Sequence, residues 1–108
     1  MNFVDLFALA LHQTVAEKNL LHEVEVLQIA RDNLQRWLER ESFSGSERNA
    51  LLEWQNILEN STSAEIRKII TQDTDEGQRL RSSSPFVGVL SEAEREKIWS
   101  ECAEIRPL

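Results

Sequence analysis

Apolar residues recur at helical spacing from Phe3 to about Glu41, a stretch that contains neither Gly nor Pro. This pattern predicts a long N-terminal helical arm. Its most regular part follows the alternating four- and three-residue spacing of a coiled-coil seam. The seam residues are Leu20, Val24, Leu27, Leu34 and Leu38.

The seam weakens over residues 13–19, where Gln13, Thr14 and Asn19 are polar or have modest helix propensity. We therefore predict a break or kink in the arm near Asn19. The alternative is one continuous helix of about forty residues, which would extend beyond a globule of this size.

Capping signals divide the rest of the chain. Three S/T-x-x-E boxes each predict the start of a helix: Ser44 with Glu47, Thr62 with Glu65, and Ser91 with Glu94. The expected helices cover about 45–59, about 63–72, and a last segment that Pro107 ends, with one or two helical turns within 73–81. Together with the arm, these segments predict a single all-α domain over residues 1–108, an irregular bundle of about five helices.

Apolar positions within these helices indicate their inward faces. Leu51, Trp54 and Leu58 form the expected inner face of the helix over 45–59, and Ile98, Cys102 and Ile105 form that of the last helix. Loops are predicted at 42–46 and at 82–89, where small polar residues, Gly and Pro interrupt the period. In the second loop we expect Phe86 and Val87 to insert into the core.

The charge balance limits the classes of partner. The chain has 108 residues and a formal net charge of -7, so its overall field repels nucleic acids and anionic membrane surfaces. No apolar stretch is long enough to cross a bilayer, and the N-terminus carries Asp5 and lacks the basic region of a secretory signal. A lone cysteine, Cys102, is typical of a cytoplasmic protein, which is the location we expect.

No motif predicts a catalytic, metal or cofactor site. His12 and His22 do not share a helical face, and the acidic segment 73–77 departs from a calcium loop in the positions of its Gly and its last acidic ligand. Cys102 lies on the apolar face of the last helix, and Ser82–Ser84 lack the G-x-S-x-G setting of a hydrolase. We therefore expect a protein that is not an enzyme and holds no cofactor.

The segment around the second loop combines two arginines with a hydroxyl cluster. Arg79, Arg81 and Ser82–Ser84 have the donors that bind a phosphate or carboxylate, and they form a candidate site for an anion or a partner. The same residues could instead cap the preceding helix and pair with the acidic residues of 73–76. We favour this structural role.

A DNA-binding helix-turn-helix over residues 45–72 is the alternative class, with Arg67 and Lys68 facing a groove. Glu65 lies early in the second helix and Glu53 and Glu59 would oppose phosphate contact, so nucleic acid is an unfavoured partner. A third class is an acidic inhibitor that occupies the basic groove of a nucleic-acid-binding protein.

The arm has apolar residues on more than one face, and short companion helices would cover only part of it. We therefore expect a non-catalytic interaction module, either a homodimer or a complex with another protein. The alternative is an arm enclosed within a monomer. The residues expected in the interface are Phe3, Phe7, Leu11, Leu20, Val24, Leu27 and Leu38.

Overall fold

Helices make up nearly all of the structure, a computed structural model that describes residues 2–40 and 45–105. Within these two ranges the chain forms six helices and no strand, so the all-α prediction is confirmed. The helices are α1 (Phe3–Leu21), α2 (Glu23–Leu38), α3 (Gly45–Asn60), α4 (Ser63–Ile70), α5 (Asp75–Arg81) and α6 (Glu92–Ile105). The number is one more than the expected five, and the N-terminal arm is two helices, α1 and α2.

The break in the arm lies at His22, three residues beyond the predicted Asn19. His22 has φ -137° and ψ 53°, which is not helical, and its N–H still bonds to the carbonyl of Lys18 at 2.7 Å. Asn19 stays inside α1 because its buried side-chain oxygen accepts hydrogen bonds from Ser63 and Arg67. The polar position that weakens the seam is therefore a contact between α1 and α4.

Two of the three predicted capping boxes are confirmed. Thr62 Oγ1 accepts from the Glu65 amide at 3.1 Å, and the Glu65 carboxylate accepts from the Thr62 amide at 2.9 Å. Ser91 and Glu94 make the same pair of bonds at the start of α6. The third box includes Ser44, which lies outside the described residues.

A hydrophobic core joins all six helices and the loop before α6. Its members are Phe3, Val15, Val26, Leu27, Ala30, Leu34, Leu51, Trp54, Leu58, Ile66, Ile70, Leu80, Phe86, Val89, Leu90, Ile98 and Cys102. Two expected members are absent because Val87 and Ile105 are exposed. Val87 precedes Gly88, where the chain turns with a φ of 90°, and Ile105 is the last residue of α6.

α1 occupies a central position and packs against α2, α4, α5 and α6. At its start, Phe3 and Phe7 contact the Trp99 ring of α6 edge-on, with centroids 4.5 Å and 5.0 Å apart. At its other end, Lys18 of α1 pairs with Glu94 of α6 at 2.6 Å. None of the six helices combines the length and the apolar character that a membrane span requires.

Candidate functional site

Most of the predicted interface residues pack within the chain itself. Two are buried and three are half-buried against the core: Phe3 and Leu27, then Phe7, Leu11 and Leu38. The other two, Leu20 and Val24, are 65% and 76% exposed, and the neighbouring Leu21 is 79% exposed. The rest of the chain thus covers more of the arm than the sequence indicates. We call Leu20, Leu21 and Val24 the corner patch, because they flank the break between α1 and α2.

The predicted anion-binding segment divides into structural residues and residues that line a cavity. Arg79 is exposed and donates to both carboxylate oxygens of Glu53 at 2.8 Å, and also to Glu76. The Ser82 and Ser83 hydroxyls donate to the carbonyls at the end of α5, to Arg79 O and Leu80 O. The structural role that we favoured is therefore realised for Arg79, and Ser82 and Ser83 have cap contacts.

A cavity of about 820 Å³ lies between α1, the start of α3 and the loop that joins α5 to α6. Its α1 wall consists of Ala8, Leu11, His12 and Val15, which follow one helical face at i, i+3, i+4 and i+7. The remaining walls are formed by Trp37, Arg40, Ser46, Glu47, Ala50, Leu51, Arg81, Ser82, Ser83, Ser84, Phe86, Val87, Gly88, Leu90 and Arg95. The volume falls within the range of small-molecule sites in proteins, about 300–1,000 Å³.

His12 and Ser84 join the two sides of this cavity. His12 Nδ1 lies 2.7 Å from the carbonyl oxygen of Ala8, and its Nε2 lies 2.7 Å from Ser84 Oγ. Burial lowers the pKa of His12 below its usual value of 6.5, so the neutral form predominates near pH 7. Since a carbonyl only accepts, Nδ1 carries the proton and the Ser84 hydroxyl donates to Nε2.

The Arg81 side chain is held by one edge of its guanidinium group. Nη1 donates to Gln72 O at 2.6 Å and to Ile70 O at 3.3 Å, where α4 has just ended. Nε and Nη2 are buried and have no hydrogen-bond partner among the residues that the structure describes. The residue as a whole is 5% exposed, and burial lowers the pKa of its guanidinium. A buried charged donor without a partner is uncommon in proteins.

Gly77 makes this placement of Arg81 possible. A Cβ atom at position 77 would lie 2.3 Å from the carbonyl oxygen of Gln72 and 3.1 Å from Arg81 Nη1. Only a residue without a side chain leaves room for the bond between Gln72 O and Arg81. The single glycine of α5 is therefore part of the site.

The charge of the cavity is opposite to that of the whole chain. Arg40, Arg81 and Arg95 line it, and Glu47 is the one carboxylate among its described lining residues. The formal net charge of the protein is -7. This concentration of arginines produces a local field that favours an anion within an otherwise acidic protein.

The loop wall of the cavity is fixed by buried hydrogen bonds. The Asn33 side-chain amide of α2 donates to Pro85 O and to Val87 O, each at 2.8 Å. Trp54 of α3 is fully buried, donates from Nε1 to Leu80 O at 2.9 Å, and contacts the Phe86 ring edge-on. The backbone that bounds the cavity is thus tied to two helices.

The other candidate sites show no ligand-binding arrangement within residues 2–40 and 45–105. In the suggested helix-turn-helix, Arg67 donates to the buried oxygen of Asn19, so it faces α1 and only Lys68 of the pair is exposed. Among the described residues, no group of three or more His, Cys, Asp and Glu side chains could hold a metal ion. Cys102 is buried, which raises the pKa of its thiol.

Sequence reasoning missed His12, Arg40 and Arg95 as parts of one site. The stripe from Ala8 to Val15 is a signal that could have indicated the α1 wall, but the residues opposite it are distant in sequence, as Ser84 is from His12 by 72 positions. Comparison with known protein families, curated proteins and solved structures finds no match. Function is therefore inferred from the geometry of the cavity.

Proposed function

We propose that this protein is a non-catalytic binding protein that takes up a small, largely apolar molecule in the cavity between α1, α3 and the loop after α5. The observation that carries the proposal is a cavity of about 820 Å³ with a buried arginine in its wall. Apolar walls with a few fixed polar groups are typical of small-molecule sites. This proposal replaces the arm as the main binding surface.

Binding is a better account of the His12 and Ser84 pair than catalysis. A serine hydroxyl bonded to a histidine also occurs in hydrolases, where a carboxylate orients the second ring nitrogen. Here that nitrogen bonds to the backbone carbonyl of Ala8, and Ser84 Oγ also accepts the amide of Phe86 at 3.2 Å. These bonds tie α1 to the loop, which is a structural role for both side chains.

The test is saturable binding of a neutral apolar dye, Nile red, followed by its fluorescence. Ala50 is half-buried in the cavity wall, whereas Ala64 of α4 is exposed and outside it. We expect wild-type protein and the Ala64→Phe control to bind the dye, and Ala50→Phe, which fills the cavity, to lose binding while remaining helical by circular dichroism. Equal binding by both variants, or no saturable binding by wild type, would refute the proposal.

Self-association through the corner patch is a second candidate. Its support is the exposure of three adjacent large apolar side chains, Leu20, Leu21 and Val24, at one corner of the chain. They lie at the break between the two N-terminal helices, and Leu20 and Val24 are among the residues that the sequence analysis expects in the interface. A homodimer would bury them against their symmetry mates.

Light scattering at micromolar concentration tests this candidate. Val24→Glu should reduce a dimer to a monomer without loss of fold, because the side chain is 76% exposed. Val4 is 69% exposed near the opposite end of α1, so Val4→Glu is the matched control and should keep the parent mass. A wild-type protein that is monomeric, or a Val24→Glu variant that keeps the dimer mass, would exclude the patch as an interface.

A further inference from the structure

We infer that the contact between His12 and Ser84 is a pH-sensitive switch in the wall of the cavity, and that protonation of His12 separates α1 from the loop that follows α5. The observation behind the inference is a buried histidine that connects two sides of the cavity through one short hydrogen bond. The opening itself does not depend on the proposed function. Its consequence, faster release of a bound molecule, rests on that function.

Hydrogen bonds determine the protonation state of His12 at this contact. Its Nδ1–H donates to Ala8 O at 2.7 Å, so Nε2 is the ring atom that can take up a further proton. In the neutral ring, Nε2 accepts from the Ser84 hydroxyl at 2.7 Å. Protonation of Nε2 removes this acceptor and displaces the hydroxyl proton. The contact in this form therefore requires a neutral His12.

A reversed bond, with Nε2–H donating to Ser84 Oγ, would be less favourable. The oxygen already accepts the Phe86 amide at 3.2 Å, so both of its lone pairs would be occupied, and its own proton would lose its present acceptor. The charge of the ring would also remain buried, since His12 is 8% exposed. Separation of the two side chains allows water to solvate the charged ring.

The described charged groups around His12 include no carboxylate that stabilises its protonated form. Arg40 after α2, Glu47 of α3, Arg81 of α5 and Arg95 of α6 line the cavity, Arg67 of α4 bonds to Asn19 two helical turns away, Lys18 of α1 pairs with Glu94 of α6, and Asp5 of α1 acts on Arg81. Residues 82–91, which join α5 to α6, include no ionisable side chain. Among the charged groups, the one that acts on the ring is Arg81, a cation.

The direction of the pKa shift gives the pH range of the switch. Burial is the largest influence on the pKa of His12 and lowers it below 6.5, the bond to Ala8 raises it in part, and the charge of Arg81 lowers it again. A histidine released into water has a pKa of about 6.5. The closed contact therefore keeps its full stability above about pH 6.5 and loses stability as the pH falls below that value. From about pH 7.5 to about pH 5.5, the balance shifts towards the open form by up to about 10-fold.

Other bonds hold the part of the loop beyond Ser84. Asn33 of α2 donates to Pro85 O and Val87 O, and Lys18 of α1 donates to Val89 O. None of these bonds involves a histidine. We therefore expect the opening to be local, with Ser84 moving away from α1 while the chain from Pro85 onwards stays in place.

Hydrogen exchange of the Phe86 amide tests the inference, because Ser84 Oγ is its acceptor. We expect its protection factor, which corrects for the intrinsic pH dependence of exchange, to fall by about 3- to 10-fold from about pH 7.5 to about pH 5.5. It should also be smaller than that of the Leu58 amide, which lies in α3 and reports general unfolding. A change of less than about 2-fold at Phe86, or protection equal to that of Leu58 at both pH values, would overturn the inference.

Two variants identify the group that responds to pH. The side chain of His12→Gln can accept the Ser84 hydroxyl but does not titrate, so the protection of Phe86 should be the same at both pH values. His22, the other histidine of the chain, is exposed at the break between α1 and α2, and His22→Gln should behave like wild type. A pH dependence that persists in His12→Gln, or that is lost in His22→Gln, would refute the role of His12. If His12→Gln does not fold, the wild-type and His22→Gln measurements decide.

Dye release separates the switch from the proposed function. Nile red should leave wild-type protein faster at about pH 5.5 than at about pH 7.5, and this difference should vanish in His12→Gln. Equal rates of release from wild type at both pH values would refute the link between the switch and ligand release. If wild type binds no dye, the proposed function is refuted, and the exchange of the Phe86 amide still decides whether His12 is a switch.

Discussion

Replacing Gly77 with alanine should destabilise the protein, although alanine is normally the better residue in a helix. Helix propensity alone predicts a gain of about 1 kcal/mol. The added Cβ, however, would lie 2.3 Å from Gln72 O and 2.9 Å from Gln72 Cβ, well inside van der Waals contact. Moving Gln72 away weakens its 2.6 Å hydrogen bond to Arg81. The structure therefore predicts the opposite sign from propensity.

The magnitude follows from the parts. Strain from an added methyl group in a packed region costs about 1–3 kcal/mol, and loss of a hydrogen bond to a charged group costs about 1.5–3 kcal/mol. After the propensity gain, the net loss is about 1.5–5 kcal/mol, which corresponds to a fall in Tm of about 6 °C or more. Relaxation of the short connection between α4 and α5 would place the result at the lower end.

The assay is urea unfolding followed by circular dichroism, with Gly45→Ala as the matched control. A Cβ at position 45 meets nothing within 4 Å, so this variant should be neutral or slightly stabilised. If Gly77→Ala is as stable as Gly45→Ala, the close approach of α5 to Gln72 is wrong, and the placement of Arg81 that depends on it is wrong as well.

Three further predictions concern stability. Asn33→Ala should cost about 2–3 kcal/mol in urea unfolding because it removes two hydrogen bonds to loop carbonyls, whereas exposed Asn56→Ala should change little. The Lys18 ammonium and the Ser91 amide lower the pKa of Glu94 to about 2. Stability from Glu94 is thus present above its usual pKa of 4.5 and lost as pH falls towards 2, and Glu94→Gln should abolish that part of the pH dependence. Buried Cys102 should react with a thiol reagent only upon unfolding, so fast labelling of native protein would contradict its burial.

Local patterns predicted the helices well because their signals are local. The Thr62 and Ser91 boxes fix the starts of two helices through bonds within four residues of sequence. The inner face of α3, with Leu51, Trp54 and Leu58, follows from helical periodicity alone. The break at His22 was displaced from Asn19 because a distant contact with α4 keeps Asn19 helical.

The different positions of Arg79 and Arg81 could also have been inferred. Two positions along a helix differ by about 200° in direction, so the two arginines of α5 face nearly opposite sides. One pairs with Glu53 at the surface and the other is buried. Treating them as a single basic segment concealed this difference.

The cavity itself depends on tertiary contacts that a single sequence does not reveal. His12 and Ser84 are 72 positions apart and meet only because α1 is surrounded by four other helices. The same packing covers Phe3 and Leu27, which periodicity alone assigned to an interface. Apolar residues on several faces of a helix are equally consistent with a dimer surface and with a central helix of a monomer.

The most direct test of the binding account is a titration of wild-type protein with Nile red, followed by the fluorescence of the dye. The account predicts saturable binding, because the cavity of about 820 Å³ has the size of a small-molecule site. A fluorescence signal that does not saturate, or binding that Ala50→Phe leaves unchanged, would contradict the account.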